Sequence, residues 1–492
     1  MQLLIGDILR RNAAAVPRAA AASMGARTLS HAELDGESNR MARALAAQGI
    51  GHGDRVLTWA DSSLEMLVLF TASSKLGAVF APLNARQGAQ EALPVARLAR
   101  ASLLVADASR AEAAAELARD AEIPASAQLA AAGPGIDLVA AAEAESASDL
   151  RAPALREDDP HTIFFTSGST GLPKGVVLSH RANWLRGFQG VFRDVPERSV
   201  CMFPLFHMGG LTLSMAAWQT GGEIIICPDA DAETLLAAAE RRRANRLYCI
   251  PAVWSRILAA DVERFDLTEL RELDTGTSAV PVELVAALKE RFPGSVTRIY
   301  YGSTEVGSGA SLGDADVLRK PGSVGVPPPG VSLRLGEDGE IQLQSPFLMS
   351  AYFDNPEATQ AALPDGWFRT GDLGALDEEG YLSIVGRKKE IIRTGGESVA
   401  PVEVETALAG HPEVSEVAVV GLPDPQWGEV VCAVVVPTPG HEPSLESLQA
   451  HCEPLLAGYK KPRRLVVRPA LPRTAATAQV QRTLLVAQIL DE

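Results

Sequence analysis

Aromatic residues are scarce in this chain, 5% of 492 positions, and that scarcity removes the stacking platform on which single-stranded nucleic-acid binders depend. Positive charge is also short: 45 Lys and Arg face 61 Asp and Glu, for a formal net charge of −16. A polyanionic partner such as nucleic acid is therefore disfavoured, although a local basic pocket is not. Cys201, Cys227, Cys249, Cys432 and Cys452 are scattered, with no CxxC pair and no metal-ligand spacing. They read as reduced thiols of a cytoplasmic protein, each a small buried apolar residue. No uncharged apolar run reaches membrane-spanning length, and the opening MQLLIGDILRRN lacks a secretory pattern. The expectation is a soluble protein without a transmembrane segment, opening on a helix.

The chain is long enough for two or more domains, and 47% hydrophobic with 22% charged residues is ordinary globular composition. Its first part alternates patterns: helical spacing over 31–49, strand-like Arg55-Val56-Leu57-Thr58-Trp59, then helical spacing over 63–76. That is α/β layering. Strand–helix–strand patterns return around Gly222–Cys227 and Arg246–Pro251, whereas the Ala-rich text over 98–155 reads as scaffold. Pro321, Pro327, Pro328 and Pro329 then introduce short strand-like segments at 331–335 and 339–344, a smaller β-rich layer. From residue 387 onward a helix at 401–409, strands at 417–421 and 430–436 and a helix at 445–456 form a compact α+β unit. The expected fold is α/β: a large multi-layer N-terminal domain, 1–386, with α/β subdomains and a small β-rich subdomain, and a mobile α+β C-terminal domain, 387–492.

Chemistry is concentrated in TSGSTGLPKG, Thr166 to Gly175, directly after the apolar Ile163-Phe164-Phe165. Gly168, Gly171 and Gly175 permit close backbone approach to an anion, Thr166, Ser167, Ser169 and Thr170 add hydroxyl donors, and Lys174 adds a mobile point charge. Neither the usual phosphate-loop spacing nor GxGxxG is present. On residues alone this is a different phosphate loop or a Gly/Ser surface turn. Tyr300-Tyr301-Gly302-Ser303-Thr304-Glu305 places aromatic faces, a turn, hydroxyls and one carboxylate together, a set suited to adenine, phosphate and Mg²⁺, or to an ordinary strand-to-loop corner. In WFRTGDLG the Asp372 carboxylate follows a glycine turn and could accept two ribose hydroxyls. GRKKEIIRTGGES, from Gly386, is a charged, glycine-rich run that would serve as a hinge or as a solvated surface.

Together these strings, in this order and over essentially the whole chain, resemble the acyl- and aryl-adenylating enzymes, the family of acyl-CoA synthetases, luciferases and peptide-synthetase adenylation domains. The resemblance implies that Lys174 with the loop 166–171 grips the β/γ-phosphates of ATP. It implies that Thr304 and Glu305 meet the α-phosphate and Mg²⁺, that Tyr301 and Gly302 border adenine, and that Asp372 and Arg387 take the ribose. Lys389 takes the hinge position, and Gly395, Gly396 and Glu397 line the pantetheine entry for coenzyme A. PLFHMGG resembles the element that sets His207 beside the acyl pocket for positioning and gating. In relatives TGGAPMP borders adenine and acyl group; here Thr277 and Ser278 replace Gly-Ala, which implies a more polar or narrower wall.

One family residue is missing. Where relatives read PRTATGKVQR, this chain reads PRTAATAQVQR, so Ala478 or Gln479, depending on the direction of counting, stands at the lysine that reaches substrate carboxylate and α-phosphate. Losing a preorganised cation there could slow adenylation by roughly 10² to 10³. Either the lysine was replaced deliberately, or the chain diverged naturally and Lys460 or Lys461 substitutes.

The reading is an AMP-forming carboxylate–CoA ligase using ATP, Mg²⁺ and coenzyme A on a fatty or aromatic acid, with a homodimer left open. Two alternatives stand beside it: an enzyme loading a carrier-protein pantetheine, and an adenylation-impaired nucleotide binder.

Overall fold

In the computed structural model, residues 2–129, 135–152, 154–167, 173–188, 195–474 and 479–492 are described, the side chain of Ser167 excepted. By internal contacts the chain forms two units. One comprises Met1–Pro321, Pro327–Val331 and Gln344–Phe368; the other comprises Gly322–Val326, Ser332–Leu343 and Arg369–Glu492.

The larger unit contains two sheets. In the first, described strands run in the order Gly307–Leu312, Val296–Ser303, Glu272–Gly276, Arg246–Tyr248, Arg198–Cys201, Glu223–Ile226, Ala20–Met24 and Arg27–Ser30. Its central pairs are parallel, as crossover helices require. In the second the order is Ala351–Tyr352, Pro173–Ser179, Pro160–Ser167, Val79–Pro82, Arg55–Trp59, Leu103–Asp107, Ser126–Leu129 and Ile136–Asp137. Leu57, Val79, Ala81, Leu104 and Ile163 form its buried face with Ala92, Ala96 and Leu117 from flanking helices. Small alanines let these helices approach closely, which is how an Ala-rich segment makes a core.

Local signals explain the helix bounds. Ser30 accepts from the Glu33 amide while Glu33 returns a bond to Ser30 N, a capping box that starts His31–Ala47. Ser63 caps Leu64–Leu76, and Gly77, at φ 81, ends it in the left-handed region. The smaller unit holds a sheet ordered Ser323–Gly325, Leu382–Arg387, Phe368–Leu376, Glu340–Gln344 and Ser332–Leu335. It also holds the long hairpin Val414–Asp424 with Gly428–Pro437, packed on the helix Pro401–Ala409.

Three elements differ from the sequence expectation. Ala20–Met24 and Arg27–Ser30 form a hairpin that alanine-rich text did not announce; parallel pairing with Ile224, Ile225 and Ile226 imposes it. The expected strand at 297–299 continues through Ser303, so most of the YGSTE string is strand rather than loop. The last expected helix is shorter, Leu445–Cys452. Among the described residues no helix is long and apolar enough to cross a membrane.

Candidate active site

Pro160–Ser167 and Pro173–Ser179 pair antiparallel and bring Thr166 opposite Lys174. Of the expected phosphate-loop residues, Gly168, Ser169, Thr170 and Gly171, and the Ser167 side chain, lie outside the described residues. The Lys174 ammonium stands 4.7 Å from the Tyr352 ring centroid, a cation–π geometry. Tyr352 in turn donates its hydroxyl to Glu305 Oε1 at 3.1 Å, and Ser303 Oγ donates to Glu305 Oε2 at 2.9 Å. Burial and the Glu305 carboxylate push the Tyr352 phenol well up, so it stays a proton donor. The structure thus joins Lys174 to Glu305 through Tyr352, a residue that sequence reasoning missed.

The corner itself is fixed from below. Gly302 sits at a bulge after Tyr301, where a Cβ would collide with the Gly307 carbonyl. Tyr301, half-buried, pairs with Ala310. Arg186, also unforeseen, donates from Nη1 to Thr304 O at 2.7 Å and from Nη2 to Glu305 O at 2.9 Å.

His207 caps the helix Met208–Gln219: its Nδ1 accepts from Gly209 N at 3.1 Å. Burial pushes its pKa down to about 4, so the ring is neutral near pH 7 and stands in for no missing cation. It begins a run of rings: His207 stacks on Phe203 with centroids 5.6 Å apart, Phe203 meets Tyr248 edge-on at 5.3 Å, and Tyr248 stacks on Tyr300 at 5.8 Å. Gly210 is needed here because a Cβ would come 2.8 Å from the Pro204 carbonyl. Beneath these rings Asp274, wholly buried, accepts from Arg246 Nε at 2.5 Å and Arg298 Nε at 2.9 Å, and Arg246 also meets Glu197 at 3.0 Å. This charge network anchors the strand that ends at Gly276. Thr277 follows in the left-handed region at φ 67, an unusual place for a β-branched residue, and Ser278 is exposed.

In the smaller unit the RTGD and GRKK strings are neighbours in one sheet. Asp372 lies opposite Arg387 in antiparallel register, and Arg387 Nε reaches Asp372 Oδ1 at 3.0 Å. Glu340, nearly buried, braces the turn by accepting from Gly371 N at 2.9 Å and pairing with Lys388 at 3.1 Å. Lys389 is exposed. Gly395 and Gly396, at φ 60 and 86, form the two-residue turn between Ile392–Thr394 and Glu397–Val399, leaving Glu397 exposed. Gly395 also lies against Trp427, where a Cβ would come within 2.7 Å of the indole, and Arg463 covers that indole at 3.9 Å.

Ala478 lies outside the described residues. Gln479 O accepts from Thr474 N at 2.7 Å, and Gln479 N donates to Thr474 Oγ1 at 3.1 Å. Lys460 is held by Glu403 at 2.5 Å and Lys461 by Glu453, so both of the expected replacement cations already have carboxylate partners.

Among the described residues no group of three or more His, Cys, Asp and Glu could cage a metal. A single carboxylate oriented by two hydroxyls fits Mg²⁺ instead, a hard ion that keeps waters and takes one or two carboxylates with phosphate oxygens.

Two family models match, AMP-binding enzyme over residues 9–353 and AMP-binding enzyme C-terminal domain over 403–477. The chain belongs to the AMP-binding enzyme family. It is 36% identical over 489 residues to the indoleacetate–CoA ligase of Aromatoleum aromaticum, covering 96% of this chain and 95% of that protein. It is 33% identical over 501 residues to the long-chain-fatty-acid–CoA ligase FadD13 of Mycobacterium tuberculosis, covering 98% and 97%. The crystal structure of ATP-bound MatB from Rhodopseudomonas palustris superposes with TM-score 0.90 at 29% identity, over 100% of this chain and 99% of that one. An AMP-forming acid–thiol ligase is the activity these matches support.

Proposed function

We propose that the chain is an ATP-dependent carboxylate–CoA ligase. The carboxylate attacks the α-phosphate of ATP, pyrophosphate leaves, and the acyl-adenylate passes its acyl group to the coenzyme A thiol with release of AMP. The arrangement of Lys174, Tyr352 and Glu305 carries this reading, because it sets a cation and an oriented carboxylate on two sides of one aromatic ring. Lys174 and Thr166, with the loop 167–171, hold the β/γ-phosphates. Thr304 contacts the α-phosphate, and Tyr301, Gly302, Thr277 and Ser278 border the adenine and the acyl group. Glu305 would hold Mg²⁺, which when bound neutralises developing phosphate charge.

In the smaller unit Asp372 accepts ribose hydroxyls, and its pairing with Arg387 directs the carboxylate. Residues 387–492 form the functional C-terminal domain, with Lys389 at the hinge and Gly395, Gly396 and Glu397 at the pantetheine entry. Free coenzyme A is the acceptor favoured over a carrier protein, since the sequence relatives named above are CoA ligases. The five buried thiols agree with a cytoplasmic, reducing location.

The ring run His207, Phe203, Tyr248 and Tyr300 favours an aromatic acid over a fatty one. Flat rings meeting edge-on and stacked offer quadrupole-matched faces to another ring. A panel of aryl and fatty acids incubated with Mg·ATP and coenzyme A, with thioester and AMP quantified, tests both the activity and the preference. Fatty acids outrunning every aryl acid would reject the aromatic assignment.

A further inference from the structure

The helix His180–Gly187 carries a buried arginine that neither the phosphate loop nor the acyl wall accounts for. Arg186 is only 6% exposed. Among the described residues its hydrogen bonds go to carbonyls and a thioether: Nε to Phe347 O at 2.9 Å, Nη1 to Thr304 O at 2.7 Å, Nη2 to Glu305 O at 2.9 Å and Nη1 to Met208 Sδ at 2.9 Å. A buried guanidinium without a carboxylate in its hydrogen-bond set is an expensive way to fill space, and a leucine would pack there at less cost in desolvation. What the fork supplies is geometry. Its rigid, divergent donors fix two successive carbonyls, those of the proposed α-phosphate and Mg²⁺ residues, relative to Met208, the neighbour of His207. Two further contacts complete the fixture. Met349 N donates to Glu305 O at 2.7 Å, and Gly307, at φ 70, lacks the Cβ that would come 3.1 Å from Arg186 Nε.

We infer that Arg186 is a positioning residue for adenylation: through the Thr304 and Glu305 carbonyls it sets the metal and α-phosphate corner, and through Met208 it ties that corner to the acyl wall. The inference rests on the ligase reading above. Arg186 touches no substrate; it acts by holding the residues that do, and misplacement of such groups by about 1 Å can cost on the order of 10²-fold in rate.

The test uses the full chain and the variants Arg186→Gln and Arg186→Lys. Three quantities are measured: the Mg²⁺ concentration giving half-maximal ATP binding by calorimetry, pyrophosphate release, and thioester formation from a synthetic acyl-adenylate with coenzyme A. For Arg186→Gln the Mg²⁺ midpoint should rise about tenfold and the kcat of pyrophosphate release fall between about tenfold and a hundredfold. Thioester formation from supplied adenylate should change less than about threefold, and Arg186→Lys should lie between Gln and the parent in all readouts. An unchanged Mg²⁺ midpoint, or equal losses in both half-reactions accompanied by a lower melting temperature, would overturn the inference in favour of a purely structural arginine. If Arg186→Gln does not fold, Arg186→Lys decides: it keeps the charge but loses the fork, so a parental Mg²⁺ midpoint overturns the inference. Failure to release pyrophosphate with any acid, both by the parent chain and with lysine restored at Ala478 or Gln479, rejects the ligase reading instead.

Discussion

The Tyr352 hydroxyl donates to Glu305 Oε1 at 3.1 Å while the ring of the same tyrosine faces the Lys174 ammonium at 4.7 Å. One side chain therefore registers two groups that lie 131 positions apart in the sequence, counting from 174 to 305. Tyr352→Phe keeps the ring and removes the hydroxyl. A hydrogen bond to a charged group contributes about 1.5–3 kcal/mol, so kcat/KM for Mg·ATP should fall between about tenfold and a hundredfold with the fold intact. Steady-state pyrophosphate release over an ATP series checks this, and an unchanged value would leave Glu305 independent of Tyr352.

Thr277 is a β-branched residue at φ 67. Such strain costs on the order of 1–3 kcal/mol, part of which glycine's larger chain entropy would offset. Thr277→Gly should therefore raise unfolding free energy by about 1 kcal/mol in urea titration. Destabilisation would show that the Thr277 side chain contributes more than its backbone costs.

Buried imidazoles make stability depend on pH, His161, His180 and His207 with His31, which burial also lowers. Burial pushes His180 down to about 3, His207 to about 4 and His161 well below the ordinary value. His161 is neutral and placed between Ser74 Oγ at 2.6 Å and Asn183 Nδ2 at 2.8 Å, its ring 4.4 Å from that of His180. Folded pKa values below the unfolded value near 6.5 mean that unfolding takes up protons. Stability is complete above pH 6.5 and declines as pH falls towards 4, by up to about 1.4 kcal/mol per pH unit for each histidine. Urea midpoints flat between pH 6.5 and 5 would contradict this. His180→Asn, if it folds, should flatten the decline.

The absent lysine makes a rate prediction. His207 is neutral, and Lys460 and Lys461 are engaged by Glu403 and Glu453. Restoring Lys at Ala478 or at Gln479 should raise pyrophosphate release by roughly 10² to 10³ while changing thioester formation from supplied adenylate little. No gain from either substitution would mean that adenylation here does not depend on a cation at this place.

What the sequence made legible was local. The phosphate-loop string around Lys174 and the glycine turn before Asp372 are each written within a few positions, because turn chemistry and strand patterning act over that range. The Ala20–Met24 strand was hidden, since alanine is a poor strand former and its pairing with Ile224 to Ile226 is a long-range choice. Tyr352 and Arg186 were hidden for the same reason. A tyrosine in AYFDNPEAT and an arginine in HRANWLRG reach the Glu305 corner only after the chain has folded. The one available signal for Arg186 was its position on the helix: it lies four places after Ala182 and three after Asn183, both buried, and so on the inward face.

The central claim is that this chain joins a carboxylic acid to coenzyme A through an adenylate. The most direct measurement is the product stoichiometry for the best acid in the panel with Mg·ATP and coenzyme A. The account predicts one AMP, one pyrophosphate and one thioester per acid consumed, with AMP and pyrophosphate formation abolished or strongly reduced by Lys174→Ala. Formation of ADP and inorganic phosphate, or no acid-dependent ATP consumption with any acid even after lysine is restored at Ala478 or Gln479, would contradict it.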